Sequence, residues 1–142
     1  MARPKTSPET ANSVVFEVGP LWEQSFDRVK KIYPQIAQKI QEFRDLKKNN
    51  PLDLFGSNDK PFVSDGVFKK QLPKGRKAHL TQDISIIYEL SGRNPTNIKL
   101  YGVFTHSDMG TGQPINMNVQ RNLAKRLANE ELELDQWVNY KY

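Results

Sequence analysis

Cysteine is absent from the chain, and histidine occurs only twice, at His79 and His106. Without cysteine there can be no disulfide, no thiol nucleophile and no cysteine-ligated zinc, and the lack suits a reducing compartment. Two histidines at no zinc-motif spacing would leave any metal site dependent on carboxylates, so neither a metal nor another cofactor is expected. No stretch approaches the ~20 apolar residues of a membrane span, and residues 1–10 lack the apolar core of a secretory signal. The expectation is a soluble, cytoplasmic protein that makes no membrane contact. A phosphate-binding glycine-rich loop, internal repeats and low-complexity tracts are missing as well. A helix-turn-helix with a basic recognition helix is also missing, which argues against an isolated DNA-binding regulator.

What is present fits one core. The 142 residues, 37% of them apolar, suit a single domain over residues 13–142, with the polar, proline-containing residues 1–12 as a flexible arm. A formal net charge of +5 favours a polyanionic partner, and the charge is unevenly spread. Between Gly66 and Gln82 stand five cations, Lys69, Lys70, Lys74, Arg76 and Lys77, with no acid among them. Glu130, Glu131, Glu133 and Asp135 crowd near the C-terminus.

The periodicities predict an α+β fold. Residues 14–18 (VVFEV) read as a strand before the Gly19-Pro20 break. Trp22, Phe26, Val29 and Tyr33 then mark one face of a helix, and Ile36, Ile40, Phe43 and Leu46 mark a second, with Pro34 in its first turn. Residues 52–65 read as a long loop, and strands are expected over 67–72, 77–80, 84–90 and 98–105, joined by short turns into an antiparallel meander. A last helix is expected over about residues 118–134, capped by Asn118, with Arg121, Lys125 and Arg126 on its solvated side. Periodicity does not decide the tail, residues 137–142. The sum is a curved antiparallel sheet packed with two N-terminal helices and a C-terminal one.

Cleaving RNA without a metal requires a base to take the 2′-OH proton, an acid to protonate the leaving 5′-oxygen, and cations to stabilise the phosphorane. The RNA brings its own nucleophile. Arg76, Lys77, His79 and Asp83 lie close in sequence, and His106 ends the following long strand. In a strand pair closed by the turn at 91–97, the start of one strand lies beside the end of the next, so Asp83 and His106 should be neighbours. His79, Asp83 and His106 are the candidate catalytic trio. Lys69, Lys70, Lys74, Arg76 and Lys77 are the candidate RNA-binding cations, with Arg76 and Lys74 or Lys77 at the phosphate. The plainer readings are histidines at strand ends, a surface ion at Asp83 and lysines guarding a strand edge. Asp108 reads as a capping residue, Tyr88 as core, and Tyr101, on the face opposite Leu100, as a candidate to stack on a base.

The run Ala78-His79-Leu80-Thr81-Gln82-Asp83, then Ile86-Ile87-Tyr88 and Thr105-His106-Ser107-Asp108, resembles the YafQ branch of the RelE/ParE superfamily, toxins of bacterial toxin-antitoxin pairs. The resemblance is strongest over residues 76–108. It implies a RelE-like fold, an mRNA interferase acting on the translating ribosome, an antitoxin partner, and active-site roles for His79, Asp83 and His106. The chain departs from that pattern in three places. Residues 64–72 hold no histidine where those toxins carry one, Ile84 stands where tryptophan is frequent, and Gly110 stands where an aromatic is frequent. The alternative on the same fold is a non-catalytic binding protein, either a gyrase-inhibitor-like toxin or a diverged RNA- or ribosome-binding protein.

Overall fold

The computed structural model describes residues 13–62, 66–93 and 95–140, so the arm expected over residues 1–12 lies outside the described residues. Strand β1 (Val14–Val18) breaks at Gly19-Pro20 and gives way to helix α1 (Trp22–Ile32). Its apolar stripe is buried through Trp22 and Val29, with Phe26 half-buried and stacked on Trp22. The second helix, α2 (Ile36–Asn49), starts after Pro34 rather than around it. Pro34 and Gln35 form a turn that is closed by the Ile36 N–H donating to the Tyr33 carbonyl at 3.0 Å. Asn50 ends α2 in an extended conformation, and its side chain accepts from the Leu52 N–H at 3.0 Å.

The next segment carries a short strand, β2 (Lys60–Pro61). Of residues 67–72, expected as a strand, all but Leu72 instead belong to helix α3 (Gly66–Gln71). Phe68 and Leu72 are spaced i, i+4, and both are buried beside Phe62, whose ring stacks on Phe68 at 5.1 Å. An apolar run this short fits either period, and packing decides it. The meander follows as β3 (Gly75–His79), β4 (Ile84–Ser91) and β5 (Thr96–Thr105), then α4 (His106–Met109) and α5 (Met117–Leu132). Helix α5 is capped by Asn116, two residues before the expected cap, through its side-chain oxygen and the Val119 N–H. A 3-10 turn (Leu134–Gln136) leads into β6 (Val138–Asn139).

The sheet order is β2-β3-β4-β5-β1-β6, antiparallel throughout except where β1 runs parallel to β5. Both faces are covered. Ile84, Ile86 and Tyr88 face α1 and α2, whereas Ile87, Tyr101 and Phe104 join the cluster with Phe68, Met109, Leu127 and Trp137. Residues 84–89 are therefore buried in succession, beyond the one-sided burial that period 2 suggests. This second layer corrects the reading of Tyr101 as a base-stacking residue. Its ring is fully buried, edge-on to Trp137 at 5.0 Å, and its hydroxyl donates to Glu89 at 3.0 Å. Tyr101 is also the extra residue of a bulge, since Ile87 pairs with Gly102 and Tyr88 with Leu100. Beyond the bulge the Val103 N–H finds its partner in the Ser25 hydroxyl, at 3.1 Å. No helix among the described residues is long and apolar enough to cross a membrane.

A buried carboxylate fastens the segment after α2. Asp59, wholly inaccessible, accepts from Lys47 Nζ at 2.7 Å, from the Phe55 N–H at 2.8 Å, from Tyr88 Oη and from Arg76 at 3.4 Å. Burial opposes its charge, but the bonds from Lys47, Tyr88 and Phe55 outweigh that and hold the carboxyl below the usual range. Its contribution is thus present above the ordinary carboxylate pKa of 3.8 and is lost as pH falls through the lower folded value. Asp59→Ala should cost about 3–5 kcal/mol in urea denaturation, because Lys47 would stay buried without its counter-charge. A loss below ~1 kcal/mol would show that the network does not fasten the loop.

Candidate active site

The site forms where β3 turns into β4 and β5 turns into α4. Past His79 the chain reverses within four residues. Thr81 Oγ1 accepts from the N–H groups of Asp83 at 3.2 Å and Ile84 at 3.1 Å, and the Leu80 N–H closes on the Ile84 carbonyl at 2.8 Å. The β4–β5 ladder pairs Ile84 with Thr105, and one step further the His106 N–H donates to the Asp83 carbonyl at 2.9 Å. Backbone register therefore sets Asp83 beside His106. The Asp83 carboxylate lies 3.5 Å from His106 Nδ1, and the His79 and His106 rings are 5.4 Å apart, tilted at 59°. The expected trio comes together.

The backbone of His106 is tied down on both sides. Thr105 caps α4, its Oγ1 accepting from the Asp108 N–H at 3.0 Å while the Asp108 carboxylate accepts from the Thr105 N–H at 3.5 Å. Asp108 is a capping residue, as its place in the sequence suggests, and it also accepts from Arg28 at 2.8 Å. After the helix, Thr111 and Gly112 both donate to the His106 carbonyl, at 2.9 and 3.1 Å. Gly110 makes that return possible with a φ of 77°, and a Cβ there would meet the Asn116 carbonyl at 2.4 Å.

The two histidines sit in different fields. Burial lowers the pKa of His79, and the nearby His106, Lys77 and Lys60 lower it further. At neutral pH its ring is held in the neutral form, with a lone pair available. His106, by contrast, has the Asp83 carboxylate at its Nδ1.

The cations divide between places. Strand alternation puts Lys77 and His79 on one face and Arg76 and Ala78 on the other. Arg76 therefore faces away from the histidines, where it donates to Tyr88 Oη at 3.0 Å and to the Asp59 carboxylate at 3.4 Å. The phosphate-side position expected for it does not match this geometry. Lys74 is exposed in the turn before β3, and Lys69 and Lys70 are exposed on α3. Lys60 was not singled out by the sequence. It pairs in register with Lys77 and adds its charge to the field at His79. Nothing in its surroundings in the chain marks it, because β2 exists only where the anchored loop meets β3.

No protein-family model matches the chain, and no curated protein sequence does. Among solved structures the chain is similar to the DinJ-YafQ complex of E. coli, with 22% identity and a TM-score of 0.51, covering 65% of this chain and 92% of that one. It is also similar to a YoeB/ParE toxin from Agrobacterium tumefaciens, with 14% identity and a TM-score of 0.50, covering 66% of this chain and 98% of that one. The fold is that of the RelE/ParE-like toxins. Each likeness takes up nearly the whole of the neighbour but only about two thirds of this chain.

The field at His79 can be measured directly. In an NMR titration its ring should protonate below the usual value of 6.5, and Lys60→Met should move that midpoint upward. A midpoint unaffected by Lys60→Met would remove Lys60 from the site.

Proposed function

We propose that the chain is an endoribonuclease, the toxin of a toxin-antitoxin pair, which cuts mRNA on the translating ribosome. The observation that carries this reading is the pair of histidine rings 5.4 Å apart, one kept neutral by burial and by nearby cations and the other set against a carboxylate. Neutral His79 takes the proton from the 2′-OH, and the 2′-oxygen attacks the adjacent phosphorus. His106, oriented by Asp83, delivers a proton to the departing 5′-oxygen. The products are a 2′,3′-cyclic phosphate and a 5′-hydroxyl end. Lys60 and Lys77 stabilise the charge that builds on the phosphoryl oxygens. With the nucleophile in the RNA and both protons on imidazoles, the reaction requires no metal. Lys74, Lys69 and Lys70 extend the cationic surface for flanking phosphates, and an antitoxin protein is the expected inhibitor. An mRNA substrate places the protein in the cytoplasm.

The second reading is a non-catalytic binder on the same fold. It is favoured by the absence of histidine from residues 64–72, where the toxins resembled carry one.

Induction in cells followed by primer extension separates the two. Cuts confined to translated transcripts, reduced about 100-fold or more by His79→Ala and by His106→Ala, are expected of the nuclease. Growth arrest with intact mRNA would favour the binder. Full cleavage by both variants would remove the histidines from the mechanism.

A further inference from the structure

Ser85 is wholly buried in β4, and its hydroxyl has no hydrogen-bond partner among the described residues. A buried hydroxyl left unpaired destabilises the folded state, and alanine would fill the same space without that penalty. The register indicates what the hydroxyl is placed for. Ser85 is the direct cross-strand partner of His79 on one side and of Phe104 on the other. Of these two neighbours only His79 forms hydrogen bonds through its side chain. Directly opposed residues hold their Cβ atoms about 4.5–5.5 Å apart on the same face, so rotation of the half-buried imidazole brings a ring nitrogen within reach of Ser85 Oγ.

Resting on the nuclease reading for its role in the reaction, we propose that Ser85 is the positioning residue of His79. Its Oγ accepts the N–H of one ring nitrogen and so leaves the other nitrogen bare and directed at the 2′-OH. When that nitrogen takes the proton, the same contact steadies the imidazolium.

The chemistry favours a hydroxyl in this place. A carboxylate beside His79 would also orient the ring, but it would hold a proton on it and spoil the base. A neutral acceptor fixes the tautomer without adding charge, in keeping with the cationic field of Lys60, Lys77 and His106. The two histidines are then served differently: His106 by the carboxylate of Asp83, His79 by a hydroxyl.

The test compares Ser85→Ala with the wild-type chain in three measurements. The first is the tautomer of His79 in the free protein by nitrogen-15 NMR, in a His106→Gln background that leaves a single histidine signal. The second is the thermal midpoint, and the third, in the chain with His106 intact, is cleavage of translated mRNA. One dominant His79 tautomer is expected with Ser85, and a mixture in Ser85→Ala. The thermal midpoint should change little, since a single hydrogen bond is lost together with a partly satisfied hydroxyl, and kcat should fall about 10–100-fold at unchanged KM, the scale on which orienting partners of histidines act. An unchanged tautomer distribution overturns the proposal, whatever happens to cleavage. A shifted distribution in a protein that cuts no RNA upholds the Ser85–His79 contact and defeats the nuclease reading instead.

Discussion

Burying the Asp59 carboxylate takes a charge out of water, which succeeds only because α2 supplies Lys47, β3 supplies Arg76, β4 supplies Tyr88 and the loop itself supplies the Phe55 N–H. Four separate pieces of chain must arrive for one anion to be satisfied. Buried ion pairs are weak sources of net stability, but they penalise wrong arrangements heavily. Here the arrangement they select reaches the site. With Asp59 directed to the α2 side, the residue after it emerges on the other face of the sheet, where Lys60 meets Lys77. The same anion engages Arg76 and keeps its guanidinium away from the histidines. A structural network thereby decides which cations the site receives.

Two side chains of one type are separated in character by what the backbone brings to each. His79 ends a strand whose outer neighbour carries Lys60, and its side chain is half-buried. His106 begins a helix beyond the last pair of the β4–β5 ladder, which delivers Asp83 to its ring. Neither environment needs a mobile loop, because strand register and a capped turn hold all three groups. The difference between the two imidazoles is therefore written into the pairing of the strands.

The elements with strong periodicity could be read in advance: both N-terminal helices, β4, β5 and the C-terminal helix follow their apolar spacing. The nearness of Asp83 and His106 was legible too, since antiparallel pairing with a short turn fixes it. Helix α3 was hidden because Phe68 and Leu72 satisfy a helix while the run between them also suits a strand. How α3 joins the C-terminal helix to cover the second face of the sheet was hidden with it, and so was the burial of Tyr101. Lys60 and the diversion of Arg76 depend on a long-range contact with Asp59, which no local pattern announces. Ser85 was invisible for a simpler reason, as a serine in an apolar strand has no signature until its neighbours across the sheet are known.

The two outer strands are each two residues long, Lys60–Pro61 at one end of the sheet and Val138–Asn139 at the other. The first combines a charge with a proline that has no N–H to offer, two features that discourage edge pairing. Another protein chain arriving at either margin would find few ladder groups to bond with. Partners that extend a sheet depend on that ladder for affinity. A protein partner of this fold would instead have to grip helices and side chains, with specificity set by shape and charge rather than by backbone pairing.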